Sequence, residues 1–213
     1  MSFPDGWTQG THTYDGVTHP TYRRGSGPGV IVIHEIPGIT PEVAAFAHEV
    51  VDAGHTVVMP SLFGTDGARM TARSAARTLR QVCVSREFTK LRTGETTPVA
   101  VWLRSLARDL HAELGGPGVG ALGMCFTGGF ALALAVDDSV RASVLSQPGM
   151  PFPVGRARRL DATVSPEEFD RVAQRAAAGE VCALGLRFSE DAGVPRERFA
   201  TIANRLGDAF IRV

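Results

Sequence analysis

The stretch that most constrains this chain runs from Val119 to Val136. An apolar strand-like run, Val-Gly-Ala-Leu-Gly-Met, passes without any polar loop into a helix-like run of small and apolar residues from Gly128. Between them lies Gly123-Met124-Cys125-Phe126-Thr127-Gly128-Gly129. A strand that turns this sharply into a helix strains its pivot residue, and the neighbours must be small enough for strand and helix to approach closely. Gly123, Gly128 and Gly129 meet that need, and the pivot is Cys125, a potential nucleophile. The helix after it has no polar face, so it must be buried against a sheet.

The rest of the chain supplies that sheet. Gly29 to His34 is a continuous β-branched run without polar alternation, as expected of a strand covered on both faces. Thr40-Pro41-Glu42 then gives an N-cap, a proline at the first helical position and an early acid, and Gly54 closes the apolar periodicity of Val43, Phe46, Ala47, Val50 and Val51. His55 to Pro60 is again β-rich, so strand, helix and strand form a parallel crossover unit. Ahead of it, Asp15-Gly16 centres a predicted edge hairpin over 11–24. Two helices are expected between Thr71 and Leu114, the second restarting near Thr97-Pro98. Ala142–Gln147, Val181–Phe188 and Ala209–Val213 read as further strands. Ser165 with Glu168 forms the signature of a capping box, and a last helix spans Pro195 to Leu206, ended by Gly207.

These 213 residues predict one α/β domain, 1–213, with a mostly parallel central sheet and helices on both faces. The 22 basic and 22 acidic side chains cancel, so no global field recruits nucleic acid or anionic lipid, and a small molecule is the expected partner. The three cysteines, Cys83, Cys125 and Cys182, are too far apart for a zinc site and odd in number for a disulfide framework. No metal or other cofactor is expected. The opening Met-Ser-Phe-Pro-Asp-Gly-Trp lacks a signal-peptide pattern and no apolar run reaches spanning length, which predicts a cytoplasmic protein without membrane association. The oligomeric state is not readable.

Four motifs together resemble the dienelactone hydrolase family, over nearly the whole chain. They are His34-Glu35-Ile36-Pro37-Gly38, Pro60-Ser61-Leu62-Phe63-Gly64, the cysteine elbow, and Gly185-Leu186-Arg187-Phe188-Ser189-Glu190-Asp191 followed by Val194-Pro195. The resemblance implies an α/β-hydrolase fold and a Cys–His–Asp triad acting on small esters or lactones. In it Cys125 is the nucleophile, Asp191 the acid, and Glu35 the carboxylate that holds the resting thiol. The backbone N–H groups of Ile36 and Phe126 are the implied oxyanion donors. A thiol at the start of a helix is also expected to have its pKa lowered by the unpaired amides there. Arg86 is a weak candidate for clamping a substrate carboxylate.

The chain departs from the family pattern in two places. Thr127 replaces the glycine usual two positions after the nucleophile. All six histidines, His12, His19, His34, His48, His55 and His111, precede Cys125, whereas the triad order puts the base after the acid. The expectation is therefore a chain cut short before its catalytic histidine and final helix. His34 is a possible substitute base, against the plainer reading of a strand-end histidine satisfied by the backbone. The competing class is a non-catalytic scaffold of the same fold that binds a small ligand or partner. A dinucleotide-binding fold is disfavoured, because Glu35-Ile36-Pro37-Gly38 does not fit the glycine-rich turn it requires.

Overall fold

The computed structural model describes residues 4–85, 87–88, 95–149, 154–191 and 193–213. The chain begins with an antiparallel hairpin, β1 (Thr8–Tyr14) and β2 (Val17–Arg24), turned by Asp15 and Gly16 at φ 48° and 75°. Asparagine, aspartate and glycine tolerate this left-handed pair best. β3 (Gly29–Ile33), α1 (Pro41–Asp52) and β4 (Thr56–Pro60) form the expected crossover, with β3 and β4 parallel. The Thr40 hydroxyl accepts from the Val43 N–H and starts α1.

α2 (Ala72–Val84) and α3 (Pro98–Leu114) follow, then β5 (Val119–Met124) and, after one 3-10 turn at Cys125–Thr127, α4 (Gly128–Leu134). Every residue of α4 is buried, as its lack of a polar face requires. β6 (Val140–Ser146), α5 (Gly155–Leu160), α6 (Pro166–Ala177), β7 (Cys182–Leu186), α7 (Arg196–Leu206) and β8 (Phe210–Arg212) complete the chain. α5 has no buried residue, and so no apolar periodicity announces it in the sequence.

The strands lie in the order β1-β2-β4-β3-β5-β6-β7-β8. Only the pairings of β1 with β2 and β2 with β4 are antiparallel. Neighbouring residues of one strand serve opposite faces. Ile31 and Ile33 of β3 pack with Leu103, Leu106 and Phe130 from α3 and α4, whereas Val32 between them packs with Val43 and Ala47 of α1. A third cluster joins Leu132 and Leu145 to Phe169, Phe199 and Phe210, seating α6 and α7 on the later strands. Helices therefore cover both faces, and the carboxyl ends of β3, β5 and β7 share one edge. Open parallel sheets keep their ligand sites along that edge.

The capping box at α6 forms only in part. Ser165 Oγ accepts from the Glu168 N–H, but the Glu168 carboxylate turns away to Arg104 Nη1 at 2.6 Å and to Thr96. A charged, largely buried guanidinium is a stronger partner than one backbone amide.

Candidate active site

β5 delivers Cys125 to the turn with φ +48°. A left-handed backbone at a residue with a Cβ is costly and persists only where its surroundings enforce it. Here they do. A Cβ on Gly123 would lie 2.3 Å from the Thr127 carbonyl oxygen, and one on Gly128 2.7 Å from Pro148 Cα, so the turn closes only with glycine at both positions. The Cys125 carbonyl accepts from the N–H groups of Gly128 and of Gly149, the latter at 2.9 Å.

Thr127 is more than a tolerated replacement. Its Oγ1 accepts from the Met124 N–H at 3.0 Å and shares its proton between the Met124 and Ile33 carbonyls, each also at 3.0 Å. The hydroxyl thereby ties the nucleophile turn to the end of β3, two residues before Glu35. In the sequence Thr127 stands out only as a departure from the family pattern; the tie depends on β3 and β5 being neighbours.

Glu35 and Asp191 both act on the thiol. Burial pushes the Cys125 pKa up first, the Glu35 carboxylate raises it further, the Phe126 N–H donated to the sulfur lowers it, and Asp191 raises it again. The net direction is upward, which corrects the expectation of an acidic thiol. One amide does not offset lost hydration and two carboxylates. Cys125 as a residue is solvent-exposed, so a substrate can reach it. Burial likewise raises the Glu35 carboxyl above its ordinary range.

Asp191 has two duties. Its Oδ1 accepts from the Gly193 and Val194 N–H groups at 2.8 and 3.2 Å, an Asx turn leading into α7. Arg187 fixes the same loop by donating to the carbonyls of Val194 and Asp191. One carboxylate oxygen of Asp191 is thus committed to the loop, while the carboxylate also exerts its field on Cys125.

His34 is not a substitute base. Its ring is fully buried, Nε2 accepts from the Leu62 N–H at 3.0 Å, and Nδ1 lies 3.0 Å from the Glu35 carbonyl oxygen. Both nitrogens are engaged, and burial lowers its pKa to about 4. The other histidines lie elsewhere in the fold. His12 meets Ser105 and Asp109, His19 meets Glu87, His48 accepts from Trp7, His55 meets the Val50 carbonyl, and His111 lies in the last turn of α3. Arg86 lies outside the described residues. Among the described residues no group of three or more His, Cys, Asp or Glu side chains is placed to hold a metal ion. No helix among them is long and apolar enough to cross a membrane.

Sequence reading missed the loop after β6. Gln147 has φ +44°, and Pro148 and Gly149 pack against the elbow. The buried Arg198 of α7 donates to the Pro148 carbonyl at 2.5 Å and to the Arg158 carbonyl at 3.0 Å. Pro148-Gly149 directly after a strand was the available signal.

A mostly parallel sheet with helices on both faces and a strained thiol at a strand-to-helix elbow defines an α/β-hydrolase. The family model for the dienelactone hydrolases matches residues 16–168, and the chain belongs to that family. The fold is shared with solved structures of low sequence identity. A dienelactone hydrolase from Anabaena variabilis is 16% identical, with TM-score 0.64, over 97% of this chain and 84% of that one. A protein described as a dienelactone hydrolase from Klebsiella pneumoniae is 18% identical, with TM-score 0.63, over 98% and 85%. A dienelactone hydrolase-like promiscuous phosphotriesterase from metagenomic libraries is 18% identical, with TM-score 0.63, over 97% and 80%. No curated protein sequence matches the chain. Family membership makes this a hydrolase with a small-molecule substrate.

Proposed function

We propose that the chain hydrolyses small activated esters or lactones through the Cys125 thiol. The observation that carries this reading is the left-handed Cys125, held at φ +48° by a turn that closes only with glycine at 123 and 128, with the Phe126 N–H on its sulfur. Packing alone does not require that strain at an exposed residue, whereas presenting a nucleophile does.

In the resting site the thiol keeps its proton, because burial first, then the Glu35 and Asp191 carboxylates, disfavour the thiolate. A substrate carbonyl entering between Cys125 and Glu35 brings the sulfur to the acyl carbon while the thiol proton passes to the Glu35 carboxylate. The oxyanion develops toward the Ile36 and Phe126 N–H groups. The C–O bond breaks, the leaving oxygen takes the proton back, and the acyl group stays on sulfur as a thioester. Water then cleaves the thioester, which restores the thiol and releases the acid. Asp191 takes the acid's place in the triad that membership of the family implies. Enol-lactones and aryl esters suit the site, since their leaving groups depart readily; amides do not.

The test is single-turnover acylation by p-nitrophenyl acetate, followed by nitrophenolate release and intact mass. Wild type should release one equivalent and carry the acetyl group on Cys125, and Cys125→Ala should do neither. Equal release from both proteins overturns the thiol mechanism, and no release above buffer from either returns the chain to the non-catalytic scaffold reading.

A further inference from the structure

The loop that follows β3 is held from behind by an unusual arrangement. The Glu35 carbonyl receives two donors, the Gly38 N–H at 2.8 Å and the His34 ring at 3.0 Å through Nδ1. The roles of the ring nitrogens follow from their partners. The Leu62 N–H can only donate, so Nε2 must carry the lone pair, and the ring proton must sit on Nδ1, pointing at the Glu35 oxygen. Phe63 packs edge-on against the imidazole, 4.4 Å between centroids, so the ring has no freedom to exchange these roles.

The Glu35 carbonyl and the Ile36 N–H belong to one peptide unit. In a planar trans peptide they point in opposite directions, and fixing one fixes the other. β3 and β5 are paired in parallel with Ile33 opposite Gly123, which sets the two strand-end turns side by side. The carbonyl is turned back into the core toward a fully buried ring, and the amide is therefore turned outward.

We propose that His34 is the positioning residue of the oxyanion hole, aiming the Ile36 N–H at the developing substrate oxyanion by holding the Glu35 carbonyl from the opposite side. The inference rests on the thiol-hydrolase reading above. His34 touches neither substrate nor sulfur; it acts through the peptide plane next to it. Thr78 supports the same loop one step further on, donating to the Pro37 carbonyl at 3.0 Å, and the Gly67 N–H donates to the Ile39 carbonyl at 2.8 Å.

Two amide replacements separate the halves of the histidine. His34→Asn keeps a donor near the Nδ1 position, within reach of the Glu35 carbonyl, and gives up Leu62. His34→Gln reaches the Leu62 N–H and gives up the Glu35 carbonyl. Each is assayed by acylation with p-nitrophenyl acetate, which needs an oxyanion hole, and by alkylation of Cys125 with iodoacetamide, a displacement that needs none. The expected result is acylation reduced about 10²-fold in His34→Gln, with alkylation unchanged, and substantial recovery of acylation in His34→Asn. Equal acylation by the two variants, or parallel losses in acylation and alkylation, overturns the positioning role. Should both variants fail to fold, the wild-type ring decides: imidazole nitrogen NMR at neutral pH should show the Nδ1–H tautomer, and an Nε2–H tautomer or a charged ring overturns the proposal. A wild-type protein that is alkylated but never acylated at Cys125 overturns the hydrolase reading instead.

Discussion

Two strand-end turns meet at the site and are built by opposite means. The elbow from Gly123 to Gly129 is held largely by its own residues, through glycines that permit close approach and a threonine that bonds back three residues. The loop from His34 to Ile39 is held by residues far along the chain, with Leu62 fixing the imidazole, Thr78 the Pro37 carbonyl and Gly67 the Ile39 carbonyl. The first shape is a local steric solution and the second a tertiary one. The nucleophile should therefore survive changes that loosen the oxyanion loop.

The largest effect should come from breaking the local turn. Gly123→Ala would place a Cβ 2.3 Å from a backbone carbonyl that cannot rotate aside. Urea unfolding should show a loss of about 3 kcal/mol, with Cys125 reactivity disturbed at the same time.

Acid should attack the tertiary side of the comparison. Burial first, and the neighbouring His19 last, depress His34, while the Glu35 carbonyl and Asp66 act upward; the folded value is about 4 against an ordinary 6.5. A depressed histidine favours folding in its neutral form, so this contribution is complete above the unfolded pKa and falls as pH drops from 6.5 toward 4. Over that window it is worth about 3 kcal/mol, at 1.36 kcal/mol per pKa unit. Unfolding midpoints measured across the window should slope downward in wild type and less steeply in His34→Asn.

Thr127→Val cuts the side-chain hydrogen bond that joins the nucleophile turn to the end of β3. The swap keeps the shape but strands the Met124 N–H, and a loss of about 2 kcal/mol is expected from denaturant titration. A variant as stable as wild type would mean that the turns are held independently.

The smallest effect sharpens the comparison by changing charge alone. Glu35→Gln removes the charge that acts most strongly on the thiol, so the pH profile of Cys125 alkylation should move to lower pH. Asp191→Asn should move it the same way by less. A profile unmoved by Glu35→Gln would place the carboxylate away from the sulfur.

Much of this was legible beforehand, and the exceptions share a cause. The crossover, the hairpin turn at Asp15-Gly16, the buried α4 and the elbow all follow from local sterics and hydrophobic periodicity, which a linear sequence carries. The resemblance puts Asp191 in the acid's place, whereas its Asx turn into α7 follows from an aspartate standing just before a helix. The thiol pKa was misjudged because sequence displays the amide next to Cys125 but not the burial and the two carboxylates that gather around it. Glu168 was read as a cap for the same reason, since Arg104 lies 64 positions away.

By itself, then, the sequence determined the element types, the parallel α/β class, the strained cysteine and the family. Each depends on neighbours within a few residues, where chain geometry leaves little choice. Only the tertiary structure decided the strand order, the upward shift of the thiol, the binding of Arg198 to the loop beside the nucleophile and the work of His34. Those depend on which distant groups share a low-dielectric interior, where an unpaired polar group is costly and every donor must find its acceptor.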